Sequence, residues 1–227
     1  EAGGSHNAEF TMLEWYRIGW DHHRLVDETV VFVQSALALL QRRATVVKTS
    51  FRDLYRDRLG IDPFIADEPT LRATLGDIEI DPNGLARDDW LDLLMTHRLQ
   101  PGFDRDGILV VYDYPPSQCA LAKLRAGPDG EAAVAERFEL YFGPLELANG
   151  YHELTAAPEQ RARFLRDHVV RGERGAVRPP PDEALLAAIA AGLPACAGVA
   201  LGIERLLMAM LGTDRIADVL AFDSSRA

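Results

Sequence analysis

The sequence of residues 136–154, ERFELYFGPLELANGYHEL, decides the fold. Apolar and polar side chains alternate through 136–142 and again from 145 onward, and the two runs flank Gly143-Pro144. This pattern predicts two antiparallel strands joined by a two-residue turn. A hairpin of this kind places successive side chains alternately on the two faces of a sheet.

Two glutamates on this hairpin form the first candidate site. With a two-residue turn, Tyr141 faces Glu146, and Glu139 faces Ala148. Glu139 and Glu146 then share a face as diagonal neighbours, with Cβ atoms about 7 Å apart or less. Carboxylates at this separation repel each other unless a cation lies between them, and oxygen ligands suit Mg²⁺ bound to phosphates. The alternative is a solvated pair of acidic strands.

The second strand of the hairpin contains an irregularity. Unbroken alternation would put three polar residues on the face opposite Glu146, namely Asn149, Tyr151 and Glu153. An isolated glycine inside a strand is typical of a β-bulge, which would return these side chains to the face of Glu146. We therefore predict a bulge at Asn149-Gly150, a prediction that an uninterrupted ladder would contradict.

Residues 10–17, FTMLEWYR, predict a further strand because they are rich in aromatic side chains and follow a polar opening. Alternation sorts the side chains into two sets, Phe10, Met12, Glu14 and Tyr16 on one face and Thr11, Leu13, Trp15 and Arg17 on the other. A carboxylate and a phenol beside an aromatic ring suit the floor of a pocket for an amine and a flat ring. An exposed face with incidental aromatic residues is the alternative.

The remaining chain alternates between strands and long helical stretches. Residues 107–114 predict a strand, and residues from about 48 to 105 predict a mainly helical insertion. Further helices are predicted over 25–40 (after an N-cap at Asp21), 157–172, 182–191 and 203–211. Hairpins combined with helical excursions indicate an α+β fold, an antiparallel sheet flanked by helices, in one domain over residues 1–227.

The composition excludes several classes of protein. The 227 residues carry 35 acidic and 24 basic side chains, a net charge of −11, which argues against nucleic acid as the main partner. No apolar run is long enough for a membrane span, and the N-terminus does not resemble a signal peptide. Two cysteines make neither a disulfide framework nor a zinc cluster, so we expect a cytoplasmic protein.

The segment 198–205, GVALGIER, is the third candidate site. Its glycines allow the backbone to approach a ligand closely. Arg205 lies in the first turn of the predicted helix, where the helix dipole disfavours a cation, so a nucleotide phosphate would compensate its charge. An ion pair with Glu204 or another acid is the alternative. His22-His23 lacks partners at ligand spacing and is expected to be a surface pair.

These stretches resemble the class II lysyl-type aminoacyl-tRNA synthetases. Residues 6–16, HNAEFTMLEWY, resemble the end of motif 2, residues 139–153 resemble the amino-acid-binding hairpin, and residues 198–205 resemble motif 3. Three details favour the branch that modifies elongation factor P: RIGWDHHRL at 17–25, YPPSQ at 114–118, and Ala200 where the tRNA enzymes usually have glycine.

The resemblance implies a two-step reaction with ATP and Mg²⁺ as cofactors. ATP activates a lysine-like amino acid, (R)-β-lysine, as its adenylate, and the acyl group then passes to a lysine of elongation factor P. The implied roles fall on three groups of residues: catalysis on Arg205, Glu146 and His6; ATP on His6, Asn7, Phe10, Glu139, Glu146, Gly202 and Arg205, with Mg²⁺ on Glu139 and Glu146; and the lysine-like substrate on Glu14, Tyr16, Asn149, Tyr151, Glu153 and Ala200.

Two alternatives follow from the same resemblance, a lysyl-tRNA synthetase and a catalytically silent synthetase-like binding module. The acidic charge disfavours tRNA as a partner. The sequence starts inside motif 2, so the family's motif 2 arginine and its motif 1, which builds a homodimer interface, are expected to precede Glu1 in a longer chain.

Overall fold

A computed structural model describes residues 4–127 and 132–223 of the chain. Its centre is a seven-stranded sheet in the order β1-β7-β6-β5-β3-β2, with β4 paired to β5. The strands are β1 (Met12–Ile18), β2 (Val46–Ser50), β3 (Ile108–Tyr114), β4 (Leu124–Arg125), β5 (Val134–Phe142), β6 (Leu145–His152) and β7 (Cys196–Gly202). Every pair is antiparallel except β2 with β3, which is parallel. The predicted α+β class is confirmed, with one parallel pair added.

Seven α-helices surround this sheet in the described part of the chain. They are α1 (His22–Leu39), α2 (Phe51–Leu59), α3 (Glu68–Leu75), α4 (Arg87–Leu94), α5 (Ala157–Glu173), α6 (Glu183–Gly192) and α7 (Ile203–Leu211). The side chain of Asp21 accepts a hydrogen bond from the Arg24 backbone N–H at 2.9 Å, which confirms the predicted N-cap of α1. None of the described helices is long and apolar enough to cross a membrane.

One face of the sheet is covered by α1 and α7. Leu25, Val33 and Leu37 of α1 are fully buried against residues of β5, β6 and β7. Burying each of these side chains stabilises the fold by about 1.5–3 kcal/mol. Apolar residues at a spacing of three or four point to one side of a helix, which is why this face of α1 packs on the sheet.

The opposite face of the sheet carries the helical stretch between β2 and β3. Val110 and Val111 are neighbours on β3 but belong to different apolar clusters, because alternate strand side chains point to opposite faces. The second cluster contains Phe51, Tyr55 and Trp90. Sequence analysis placed residues 48–50 in the helical stretch, whereas they belong to strand β2, a short edge strand in which two of the five residues are exposed.

The hairpin of β5 and β6 has the predicted two-residue turn, since Phe142 pairs with Leu145 and Tyr141 with Glu146. The register then shifts, so Leu140 faces Ala148, and Glu139 faces Asn149 instead of the predicted Ala148. The extra residue is Leu147, so the bulge predicted at Asn149-Gly150 occurs two residues earlier. Leu147 and Ala148 are consecutive yet both lie in the same apolar cluster, which satisfies two core positions at once.

The histidine pair at the start of α1 differs from the predicted surface pair. The His22 side chain is 1% exposed, and its Nε2 lies 2.8 Å from Asp113 Oδ1. Asp113 has a φ of 56° at an irregularity of β3, and its other carboxylate oxygen accepts a hydrogen bond from Arg125 at 2.7 Å. His23 and Asp113 therefore lie at ligand spacing from His22, contrary to expectation. The charge of Arg125 and the N-terminus of α1 lie beside this group and disfavour a bound cation. The contact between His22 and Asp113 instead connects α1 to β3.

Candidate active site

Strands β1, β7 and β6 lie side by side and bring the predicted site residues into rows across the sheet. The two rows are Glu14–Ala200–Asn149 and Tyr16–Gly198–Tyr151. Residues directly opposite each other on antiparallel strands share a face, so these side chains all point the same way. Small residues occupy the middle strand in both rows, which leaves space between the polar side chains on either side.

The first of two cavities on this face, termed the acidic cavity, has a volume of about 200 Å³. Its walls are formed by Glu14, Tyr16, Leu121, Asn149, Tyr151, Glu153, Gly198, Val199 and Ala200. Burial raises the pKa of the Glu153 carboxyl to about 7. Across residues 4–127 and 132–223 its carboxylate has no hydrogen-bonding or ionic partner. A half-buried carboxylate without a partner is unfavourable when ionised, so this end of the cavity is suited to an ammonium group.

The second cavity, termed the arginine cavity, has a volume of about 250 Å³. It is lined by Ser5, His6, Asn7, Phe10, Met12, Glu146, Leu147, Ala148, Asn149, Ala200, Gly202, Glu204, Arg205 and Ile216. The guanidinium of Arg205 donates to the Glu146 carbonyl oxygen at 2.9 Å and lies 2.9 Å from His6 Nε2. One guanidinium nitrogen of Arg205 thus contacts His6. The carboxylate oxygen nearest to the guanidinium belongs to Glu146 and lies 3.9 Å away.

The alternative partner for Arg205, Glu204, is engaged elsewhere. The Glu204 carboxylate accepts a hydrogen bond from the Thr11 backbone N–H at 2.9 Å, and the Ile203 N–H donates to the Thr11 carbonyl at 3.0 Å. These bonds tie the start of β1 to the start of α7. Arg205 is therefore held at the rim of the arginine cavity with its charge not fully balanced, as a phosphate site requires.

The two cavities meet at Asn149 and Ala200, which line both. The Asn149 Oδ1 atom is buried and has no hydrogen-bond partner in the described part of the chain. An unsatisfied buried acceptor costs about 1–3 kcal/mol, which a ligand donor at the junction would recover. Taken as one space, the cavities fall within the usual range for small-molecule sites of about 300–1,000 Å³.

The carboxylate pair of the hairpin lies beside the arginine cavity. Burial, followed by the charge of Glu139, raises the pKa of Glu146 to about 7, while Arg205 and Arg137 act in the opposite direction. The carboxylate of Glu139 already has close partners. One of its oxygens accepts a hydrogen bond from Arg137 at 2.5 Å, and the other accepts one from the Tyr141 hydroxyl. Glu146 has a more distant cation than Glu139, since its carboxylate lies 3.9 Å from the Arg205 guanidinium.

Comparison with known proteins identifies the family. The family model for class II tRNA synthetases (D, K and N) matches residues 1–226. The chain belongs to this family. In this class II synthetase, the β5–β6 hairpin contributes lining residues to both cavities, and the β7–α7 junction contributes lining residues to the arginine cavity.

Its relatives are named for one activity. A protein of Vibrio cholerae named "Elongation factor P--(R)-beta-lysine ligase" is 44% identical over 230 residues, covering all of this chain and 69% of the relative. Proteins with the same name from Vibrio atlanticus and Salmonella gallinarum are 43% and 41% identical, again over all of this chain and 69% of each relative. Because these relatives share this name, we assign the chain to the ligases of the class II synthetase family.

The structure brings together the site residues that the sequence predicted, with one exception. Every one of them lines one of the two cavities except Glu139, which is covered by Arg137 and Tyr141. Sequence reasoning missed Arg137, although its position two residues before Glu139 puts both on one face of β5. It also missed Leu121, for which the sequence pattern contains no signal, whereas Gly198 belongs to the predicted segment 198–205.

A larger open cavity of about 1010 Å³ lies in the helical stretch, between α3 and residues 76–81. None of the predicted site residues line it, and its walls include Glu68, Arg72 and Trp90. Volume alone therefore does not select the candidate active site, which is chosen because the predicted charged side chains converge on the acidic and arginine cavities.

Proposed function

We propose that the protein activates (R)-β-lysine with ATP and transfers the β-lysyl group to a lysine side chain of elongation factor P. The observation that carries this proposal is the half-buried carboxylate of Glu153, without a partner in the described part of the chain, in a cavity that shares Asn149 and Ala200 with the arginine cavity. A diamino acid would place its terminal ammonium on Glu153 and its carboxylate end at the Asn149–Ala200 junction, where the amine beside the carboxylate can donate to Asn149 Oδ1. The names of the relatives support the same acceptor and amino acid.

In the activation step, a carboxylate oxygen of the amino acid attacks the α-phosphorus of ATP, and pyrophosphate leaves. The arginine cavity would hold the nucleotide, with Phe10 against the adenine ring and Arg205 and His6 toward the phosphates. Glu14 would bind the amine near the reacting carboxylate, while Tyr16 and Glu153 bind the distal ammonium. Since no side chain bonds covalently to substrate, catalysis consists of positioning and charge neutralisation.

Mg²⁺ fits the carboxylates beside the arginine cavity. Burial and, after it, the charge of Glu139 raise the pKa of Glu146, whose nearest described cation is Arg205 at 3.9 Å, so a divalent ion would relieve the repulsion between the two carboxylates. Each Glu139 oxygen keeps a lone pair after its bond to Arg137 or Tyr141. Glu146 and Glu139 would hold the ion, which would supply charge neutralisation for the phosphates.

In the transfer step, the ε-amine of the acceptor lysine attacks the carbonyl carbon of the adenylate, and AMP leaves. The proposal further includes a cytoplasmic location, where ATP and the acceptor occur together, and a homodimer in the full-length protein. Light scattering coupled to size-exclusion chromatography tests the dimer.

ATP–pyrophosphate exchange with (R)-β-lysine and with α-lysine tests the activation step. Exchange that depends on (R)-β-lysine is expected, followed by transfer of the labelled acyl group to elongation factor P and not to tRNA. Preferential charging of tRNA with α-lysine would instead identify a lysyl-tRNA synthetase, and absence of any exchange would indicate a silent binding module.

A further inference from the structure

Gly198 of β7 lines the acidic cavity. It faces Tyr16 on β1 and Tyr151 on β6. A Cβ atom added to Gly198 would lie 2.5 Å from Glu153 Oε1 and 2.5 Å from Tyr16 Cε1. Real Cβ atoms do not approach other heavy atoms so closely, so the space above Gly198 is already filled by these two side chains.

The backbone of Gly198 does not itself require glycine. Its φ lies outside the left-handed region, in a regular antiparallel strand where any L residue is accommodated. The requirement for glycine therefore comes from the side chains above it. The atoms that a Cβ would meet belong to the side chains of Glu153 and Tyr16, both of which can rotate, and not to the backbone.

A substitution at residue 198 is therefore expected to change substrate binding without disturbing the fold. A methyl group at residue 198 would push the Glu153 carboxylate and the Tyr16 ring into the acidic cavity, where a substrate ammonium would otherwise lie. The main chain of β7 and the apolar clusters would stay in place. By contrast, a Cβ on Gly150 would lie 2.5 Å from the buried ring of Phe138 and 2.9 Å from the Gly198 carbonyl oxygen, so that glycine serves the core.

We infer that Gly198 is a specificity-determining residue, whose missing side chain leaves the end of the acidic cavity open for the distal ammonium of a lysine-length diamino acid. This inference rests on the proposed function and adds the residue that sets substrate length. A shorter diamino acid places its second ammonium nearer to the Asn149–Ala200 junction and needs less of this space.

The test is the Gly198→Ala variant in ATP–pyrophosphate exchange, with Gly102→Ala as the matched control. A Cβ on Gly102 meets nothing within 4 Å, and its φ is not positive. We expect Gly198→Ala to raise the KM for (R)-β-lysine at least tenfold, to leave the KM for ATP within twofold, and to keep the melting temperature near that of the parent. The control is expected to match the parent in all three. An unchanged KM for (R)-β-lysine in the folded variant would overturn the inference.

A chain-length series makes the test specific. The ratio of kcat/KM for a diamino acid one methylene shorter to kcat/KM for (R)-β-lysine is expected to rise in Gly198→Ala. An equal loss for both substrates would overturn the inference.

A second variant covers a failure of Gly198→Ala to fold. Tyr16→Ala removes one of the two clashing side chains, so the double variant Tyr16→Ala/Gly198→Ala is expected to fold, with a KM for (R)-β-lysine within about threefold of that of Tyr16→Ala alone. A KM about tenfold or more above that of Tyr16→Ala would contradict the inference. If the parent protein shows no exchange with any amino acid, the proposed function fails; if it shows exchange that ignores residue 198, only this inference fails.

Discussion

Replacing Glu153 with glutamine should stabilise the fold and impair the enzyme at the same time. Burial raises the pKa of Glu153 to about 7, and no described residue supplies a counter-charge. Above pH 7 the folded protein therefore holds an ionised carboxylate in an unfavourable place, at a cost of up to about 3 kcal/mol relative to the unfolded chain. Glutamine keeps the shape of the side chain and removes the charge.

The sign of the pH dependence follows from the raised pKa. Between the unfolded-state pKa near 4.5 and the folded-state pKa near 7, the folded protein binds more protons than the unfolded one, so parent stability falls as the pH rises through this window. Glu153→Gln should remove that fall. We expect the variant to equal the parent near pH 4 and to exceed it by up to about 3 kcal/mol at pH 8.

Urea unfolding at pH 4 and pH 8 measures the stability difference, and ATP–pyrophosphate exchange at pH 8 measures the function. The KM for (R)-β-lysine should rise about 100-fold in Glu153→Gln, because the ammonium loses its charged partner. Glu68→Gln, on the exposed start of α3, is a suitable control. A variant less stable than the parent at pH 8, or one that keeps the parent KM, would refute the reasoning.

Three further changes test other parts of the site. Arg205→Met should lower kcat/KM for ATP at least about 100-fold by removing the guanidinium from the rim of the arginine cavity; steady-state kinetics that show a loss below fivefold would contradict this role. Ala200→Gly should increase activation of α-lysine relative to (R)-β-lysine about tenfold, since one methylene of mismatch is worth about 1–3 kcal/mol; equal ratios in parent and variant in a competition assay would count against it. Deleting Leu147 removes the bulge residue and its buried side chain from the core beneath α1, so chemical denaturation should show a loss of about 3 kcal/mol or more; a chain as stable as the parent would show that the bulge is dispensable.

Local patterns predicted those parts of the fold that local forces decide. The two-residue turn and the pairing of Tyr141 with Glu146 follow from alternation around Gly143-Pro144. The position of the bulge does not, because Leu147 and Ala148 both pack into the core beneath α1, a tertiary demand that the strand sequence does not display. Gly150 was taken as the bulge residue, whereas it makes room for the ring of Phe138.

In the candidate site, too, the sequence predicted what local alternation decides and missed what depends on contacts between distant residues. Side-chain alternation on β1 correctly placed Glu14 and Tyr16 on one face, while Trp15 turns to α1 and donates to Glu28 at 3.0 Å. His22 was expected at the surface because nothing near it in sequence offers a partner. Its partner, Asp113, lies 91 residues away on β3, and only the sheet topology brings the two together.

The most direct test of the account is a crystal structure of the protein with a non-hydrolysable sulfamoyl analogue of (R)-β-lysyl adenylate. The account predicts one continuous ligand, with its terminal ammonium on the Glu153 carboxylate, its acyl group at Asn149 and Ala200, and its adenosine between Phe10 and Arg205. An analogue bound with its ammonium away from Glu153, or with its adenosine outside the arginine cavity, would contradict it.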